Sequence, residues 1–204
     1  MKTLFNSALK STSLAIVLLA SAFSMNATAA TITVDRGNDK QEIKKVIVTG
    51  NTKVMLVQDE KEYITMDEVD MPNVSVKQIG HTLTIASSEF LPVTVFVHVK
   101  DLYRIDASGK ANVQTFGKFN VKNLQVLLKD DARARVKATT ESLYTAVDGN
   151  AKLELIGTTG NHIYKLADIA KMDTDKFAAL TTEYEATPEK AIASNMHRKI
   201  AIAQ

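Results

Sequence analysis

Asp148-Gly149-Asn150-Ala151-Lys152-Leu153 reads as a small polar corner, a small residue, an alanine between two polar residues, and then an aliphatic. Ser108-Gly109-Lys110-Ala111-Asn112-Val113 and Asp131-Ala132-Arg133-Ala134-Arg135-Val136 repeat that order. Fainter copies stand at Thr49-Gly50-Asn51-Thr52-Lys53-Val54 and Asp168-Ile169-Ala170-Lys171-Met172. The steps are unequal, 23 residues from Ser108 to Asp131 and 17 from Asp131 to Asp148. Copies at this period suit a solenoid, each being one rung with loops of varying length. The small residue lets the chain turn, the alanine fits inside a narrow coil, and the aliphatic stacks on its equivalent one rung away. Turn chemistry of this kind is shared by other all-β folds, so a β-sandwich or barrel stays open at this point.

The intervening sequence reads as short strands. Val93, Val95, Val97 and Val99 alternate with Thr94, Phe96 and His98, a period of two that puts the valines on one sheet face. Val74 and Val76, then Leu83 and Ile85, alternate in the same way, and Val46 and Val48 lead into Thr49-Gly50-Asn51. Leu102 to Ile105, Leu124 to Leu128, Leu143 to Val147 and Lys152 to Ile156 continue the series, with β-branched residues frequent throughout. Turn pairs such as Pro72-Asn73 and Gly160-Asn161 separate them. Between Thr31 and Ile163 no apolar stripe of helical period is sustained over three turns.

These motifs resemble a family of exported bacterial proteins, the auto-transporter adhesin head or head GIN domain. The resemblance is carried by Val46-Ile47-Val48-Thr49-Gly50 and the Lys53 to Val57 strand, then Val74-Ser75-Val76, Leu83-Thr84-Ile85 and Val93 to Val99. Leu102-Tyr103-Arg104-Ile105-Asp106-Ala107-Ser108-Gly109 and the Asp148 rung complete it, over residues 43 to 172. It implies an all-β, single-stranded right-handed β-helix or solenoid with irregular rungs. It supplies no catalytic residues. The chain departs from the pattern at Asp130-Asp131, where Ala132 stands at a position that other copies give to glycine.

The N-terminus predicts export. Lys2 and Lys10 precede the apolar run Leu14 to Phe23, and Ala27-Thr28-Ala29 gives a small-x-small cleavage site. The run is about half the length of a membrane span. Cleavage is expected after Ala29 or Ala30, giving residues 1–29 as signal peptide, 30–172 as the solenoid domain and 173–204 as a C-terminal cap or tail. The sequence carries 25 basic and 23 acidic residues, and residues 1–29 hold two lysines and no acid, so the mature chain balances 23 against 23. Neutrality removes the long-range field that drives generic nucleic-acid or anionic-lipid binding. With no cysteine there is no disulfide, no thiolate chemistry and no lipid attachment at a cysteine.

No sequence motif for catalysis, metal or cofactor binding emerges. His81, His98, His162 and His197 form no H-E-x-x-H pattern, and Asp173-Thr174-Asp175 lacks the other ligands of a calcium loop. Asp130, Asp131, Arg133, Arg135, Asp148 and Lys152 are the local candidates for a binding site or, in the alternative, for a polysaccharide lyase or glycoside hydrolase on a β-helix scaffold. The expected function is a non-enzymatic, adhesin-like or structural binding module of the cell envelope, periplasm or surface, with a glycan or envelope protein as partner. Thr49, Thr52, Thr65, Thr82, Thr84, Thr94, Thr139 and Thr140 are expected to point outward, and Tyr63, Tyr103, Tyr144 and Tyr164 to offer stacking surfaces. Met172 to Leu180 reads as a short helix or a cap, and Met196 to Ala203 as a last covering strand.

Overall fold

The computed structural model describes residues 29–32, 41–167 and 169–186. Thirteen strands follow in chain order: β1 Ala29–Ile32, β2 Lys45–Gly50, β3 Thr52–Gln58, β4 Tyr63–Asp67, β5 Ser75–Ile79, β6 Thr82–Ser87, β7 Val93–Val99, β8 Arg104–Ala107, β9 Asn112–Phe116, β10 Asn123–Leu128, β11 Arg133–Val147, β12 Lys152–Leu166 and β13 Lys171–Tyr184. The one helical element among the described residues is a short 3-10 turn, Glu68–Asn73, with Asp67 at its N-cap. The strands join in one sheet that curls into an open half-barrel.

Two rows of parallel strands make up the curl. The first runs β6, β2, β8, β10, then the second halves of β11, β12 and β13. The second runs β7, β3, β9, then the first halves of β11, β12 and β13. Each rung is therefore one strand of the first row, a tight corner, and one strand of the second. From β10 onward the chain climbs one rung at a time, and β11 and β12 bend from the second row of one rung into the first row of the next. Antiparallel strands finish the other end: β5 on β6, β4 on β7, and β1 on β4. β2 and the N-terminal strand thus part company, β1 lying at that end while β2 sits inside the stack between β6 and β8. β1 begins at Ala29, so cleavage after either predicted alanine leaves Thr31 and Ile32 to pair with Thr65 and Ile64.

Alternation along the strands places one apolar set inward from both rows, and these meet in a single core. Leu83, Val46, Ile105 and Val126 stack in one buried column, and Ile85, Val48, Ala107, Leu128 and Val147 in the next. At the corner, Thr52, Ala111, Ala132 and Ala151 are buried, where only a small side chain fits inside the bend. The corner's backbone takes the left-handed conformation at Gly50, Gly109, Asp130 and Gly149, with φ of 73°, 68°, 59° and 65°. This corrects the register of the middle repeat. Arg133 N–H donates to Ala111 O and Lys152 N–H to Ala132 O, so Ala132, not Ala134, is the partner of Ala111 and Ala151. Asp130 occupies the glycine position. The steps between equivalent residues become 21 and 19, from Asn112 to Arg133 to Lys152.

Met172 to Leu180 lies in a strand, not a helix: β13 carries the stacking on to Tyr184. Residues Met196 to Ala203 lie outside the described residues. Two threonines expected outside are inside. Thr52 is 1% exposed and donates to Thr49 O, and Thr140 is 8% exposed and donates to Thr159 Oγ1 at 2.8 Å, which satisfies both hydroxyls at a far corner. Among the described residues no helix is long and apolar enough to cross a membrane.

Candidate functional site

The second strand row turns its polar side chains outward, and the parallel register aligns them across the rungs. Lys53, Asn112, Arg133, Lys152 and Lys171 form one line. At about 4.8 Å between neighbouring strands the line is roughly 19 Å long. Beside it runs a second line, Phe96, Met55, Gln114, Arg135, Glu154 and Asp173. Here Arg135 Nε lies 3.5 Å from Glu154 Oε2. That pair is exposed and contributes no more than about 1 kcal/mol. A shallow hollow of about 480 Å³ opens where the first line meets the corner, bordered by Asn51, Lys53, Lys110, Asn112, Asp131 and Arg133.

The candidate acids sit on the corner ridge and serve the turn. Asp130 Oδ2 accepts the Gly109 N–H at 2.9 Å, which ties one corner to the next. Asp148 Oδ1 accepts the Gly149 N–H at 2.8 Å, and Asp131 Oδ1 accepts from Asn150 Nδ2 at 2.8 Å. Of the six residues picked from sequence, Arg133 and Lys152 stand in one line, Arg135 in the next, and the three acids along the ridge beside them. Lys53, Lys110 and Lys171 complete the cationic set. The signal for Lys53 and Lys171 lay in the faint repeats, where they hold the place of Lys152. Asp173-Thr174-Asp175 lies within β13, Asp173 Oδ1 accepting the Asp175 N–H at 2.9 Å, at the irregularity where the β12–β13 register shifts.

The outer face of the first row differs. Asp106 is held by Lys45 at 2.8 Å and Arg104 at 2.7 Å, so its charge is spent locally. A hollow of about 310 Å³ lies over Leu127, Tyr144, Ala146 and Lys165. The expected tyrosines are mostly engaged: Tyr63 stacks on His98 with centroids 3.8 Å apart, Tyr164 packs against His162 and Tyr184, and Tyr144 Oη donates to Glu185. Burial, with Glu185 beside it, pushes the Tyr144 hydroxyl above its ordinary pKa. Tyr103 is half exposed and accepts from Gln125 Nε2. His98 Nδ1 lies 3.3 Å from Asp59 Oδ2, and Asp59 is held below the usual carboxylate range mainly by the Lys61 backbone N–H, with His98 adding to it. His162 is buried, 2% exposed, its Nε2 2.9 Å from Thr145 Oγ1, and desolvation lowers its pKa.

Two rows of parallel strands, a small-residue corner and an antiparallel finish at one end define an all-β scaffold built on one curled sheet. The chain belongs to the family described as "Putative auto-transporter adhesin, head GIN domain", whose model matches residues 42–202. Its fold is similar to that of a putative lipid binding protein from Parabacteroides distasonis, at TM-score 0.57 and 14% identity over 76% of each chain. A putative adhesin from Parabacteroides merdae matches at TM-score 0.58 and 16% identity, covering 77% of this chain and 76% of that one. A putative adhesin from Parabacteroides distasonis gives 0.55 and 15%, with the same coverage. No protein with a curated description matches.

Proposed function

We propose that this protein is exported and acts in the cell envelope or at the surface as a binding module rather than an enzyme, on a right-handed stacked-rung scaffold. Right-handed passage between parallel strands of one sheet is the general rule. The observation that carries the reading is the division of labour in the second row: cations are displayed in line on its outward side, while Asp130, Asp131 and Asp148 are engaged in corner hydrogen bonds. The family's description as an adhesin head supports it. Screening the purified protein on a glycan array and by pull-down from envelope extracts tests the binding role, and both negative would sink it. Cell fractionation tests the location, and recovery in the cytosol would overturn export.

The alternative is glycan cleavage, favoured by one juxtaposition: Asp131 and Arg133 border the same hollow. Asp130→Ala and Asp131→Ala proteins assayed on a polysaccharide panel decide between the two. Absence of turnover in the wild type leaves binding; a wild-type activity lost in either variant establishes cleavage.

A further inference from the structure

We propose that the line Lys53, Asn112, Arg133, Lys152 and Lys171 is a binding strip for an extended acidic polysaccharide lying across the strands. The inference rests on the binding-module reading and names its ligand class.

Three observations carry it. First, Lys53, Lys110, Arg133, Lys152 and Lys171 have no ion pair or side-chain hydrogen bond among the described residues. Other cations have carboxylate partners, Lys45 and Arg104 sharing Asp106, Lys44 reaching Glu42 and Asp101, and Arg135 meeting Glu154 beside the file. Lys77, Lys137, Lys165 and Lys176 have no ion pair among the described residues either, but none of them faces another cation in strand register, as Arg133, Lys152 and Lys171 do. Like charges on adjacent strands repel, so an unpaired file of them opposes the stacking that holds them. An anionic polymer laid along the file removes that repulsion across Arg133, Lys152 and Lys171. Second, exposed rings border the Lys53 end of the file: Phe96 is 41% exposed and Phe116 61%, with Met55 beside Phe96 on the same face. Apolar faces beside charges match a sugar ring, which presents C–H surfaces as well as carboxylates. Third, Glu154, Asp173 and Asp131 flank the file. A continuous anionic plane such as a lipid bilayer would press against these carboxylates, whereas a single chain lying on the file passes between them.

Titrating the purified protein with polygalacturonate at low and high salt tests the strip. The affinity should fall as salt rises, because exposed charges are screened. Arg133→Glu with Lys152→Glu should weaken binding by about tenfold or more, since repulsion replaces attraction at two central positions. Lys165→Glu, on the first row's outer face, should leave binding unchanged. Thermal unfolding checks that the variants fold, and Lys171→Glu, on the exposed last strand, is a second variant of the strip should the double change misfold. Wild-type affinity in the strip variants overturns the proposal. So does capture by phosphatidylglycerol vesicles without polygalacturonate binding, which would assign the cations to a membrane. Failure with polygalacturonate alongside a neutral-glycan or protein hit overturns the strip alone; failure on every arm overturns the binding module itself.

Discussion

At Asp130 the chain holds an L-residue at φ 59° where its stacked neighbours Gly109 and Gly149 are glycines. Aspartate tolerates this conformation better than most residues, and its carboxylate also caps the Gly109 N–H. The two effects oppose one another in Asp130→Gly, which relieves strain of about 1–2 kcal/mol and loses a hydrogen bond of about 1 kcal/mol. That variant should unfold within about 1 kcal/mol of wild type, whereas Asp130→Val, β-branched and without the carboxylate, should lose about 2 kcal/mol or more. Urea denaturation measures both. His162 supplies a second prediction. Desolvation lowers its folded pKa, so the unfolded chain binds the proton more readily. Stability is then unaffected above about pH 6.5 and lost as pH falls below it. Comparing urea midpoints at about pH 7.5 and about pH 5.5, the loss should be smaller in His162→Leu than in wild type. An equal loss in both would assign the acid sensitivity to other groups. The sequence shows His162 as one histidine among four; nothing local marks it as buried, because Thr145 and Phe177 reach it from other strands.

Strands were legible wherever apolar residues alternate, as in Val93–Val99, whose inward and outward positions come out as read. The stacking itself was legible because a narrow corner admits only small side chains, which leaves a repeated alanine. Its register was harder to read. Ala132 and Ala134 are two apart and both buried, so either satisfies the pattern, and the backbone corner at Asp130 decides between them. The basic line was half legible for the same reason: aligning Arg135 with Lys152 hides the file that Arg133 belongs to. The threonine rows misled because Thr52 and Thr140 satisfy their hydroxyls inside the corners, which composition does not reveal. Two predictions belong to these elements. Ala132→Leu should cost about 1–3 kcal/mol by overpacking a corner closed by Ala111 and Ala151, read as a lowered urea midpoint. Leu180→Lys, at a side chain 89% exposed on β13, should change stability by less than about 0.5 kcal/mol.

For the whole molecule, pairing is uneven. β2, β3 and β8 have partners on both sides, while β13 pairs with β12 alone among the described strands. Stability in stacked repeats is close to a sum over neighbours. Amides of β2, β3 and β8 should therefore exchange with deuterium slowest, and those in the second half of β13 fastest. Uniform protection along the stack would show that it opens as one unit. The position of β2 and β3 has a consequence for how the chain assembles. They lie between the β6–β7 and β8–β9 rungs, both of which come later in sequence. A chain delivered N-terminus first therefore has no second parallel layer until residue 99 has emerged, and none on the other side of β2–β3 until residue 116. After that, every newly arrived segment finds its template already in place, and docking one turn prevents the chain from slipping back. The first half waits and the second half ratchets: threading through a pore would meet one kinetic barrier early and then be drawn forward by folding.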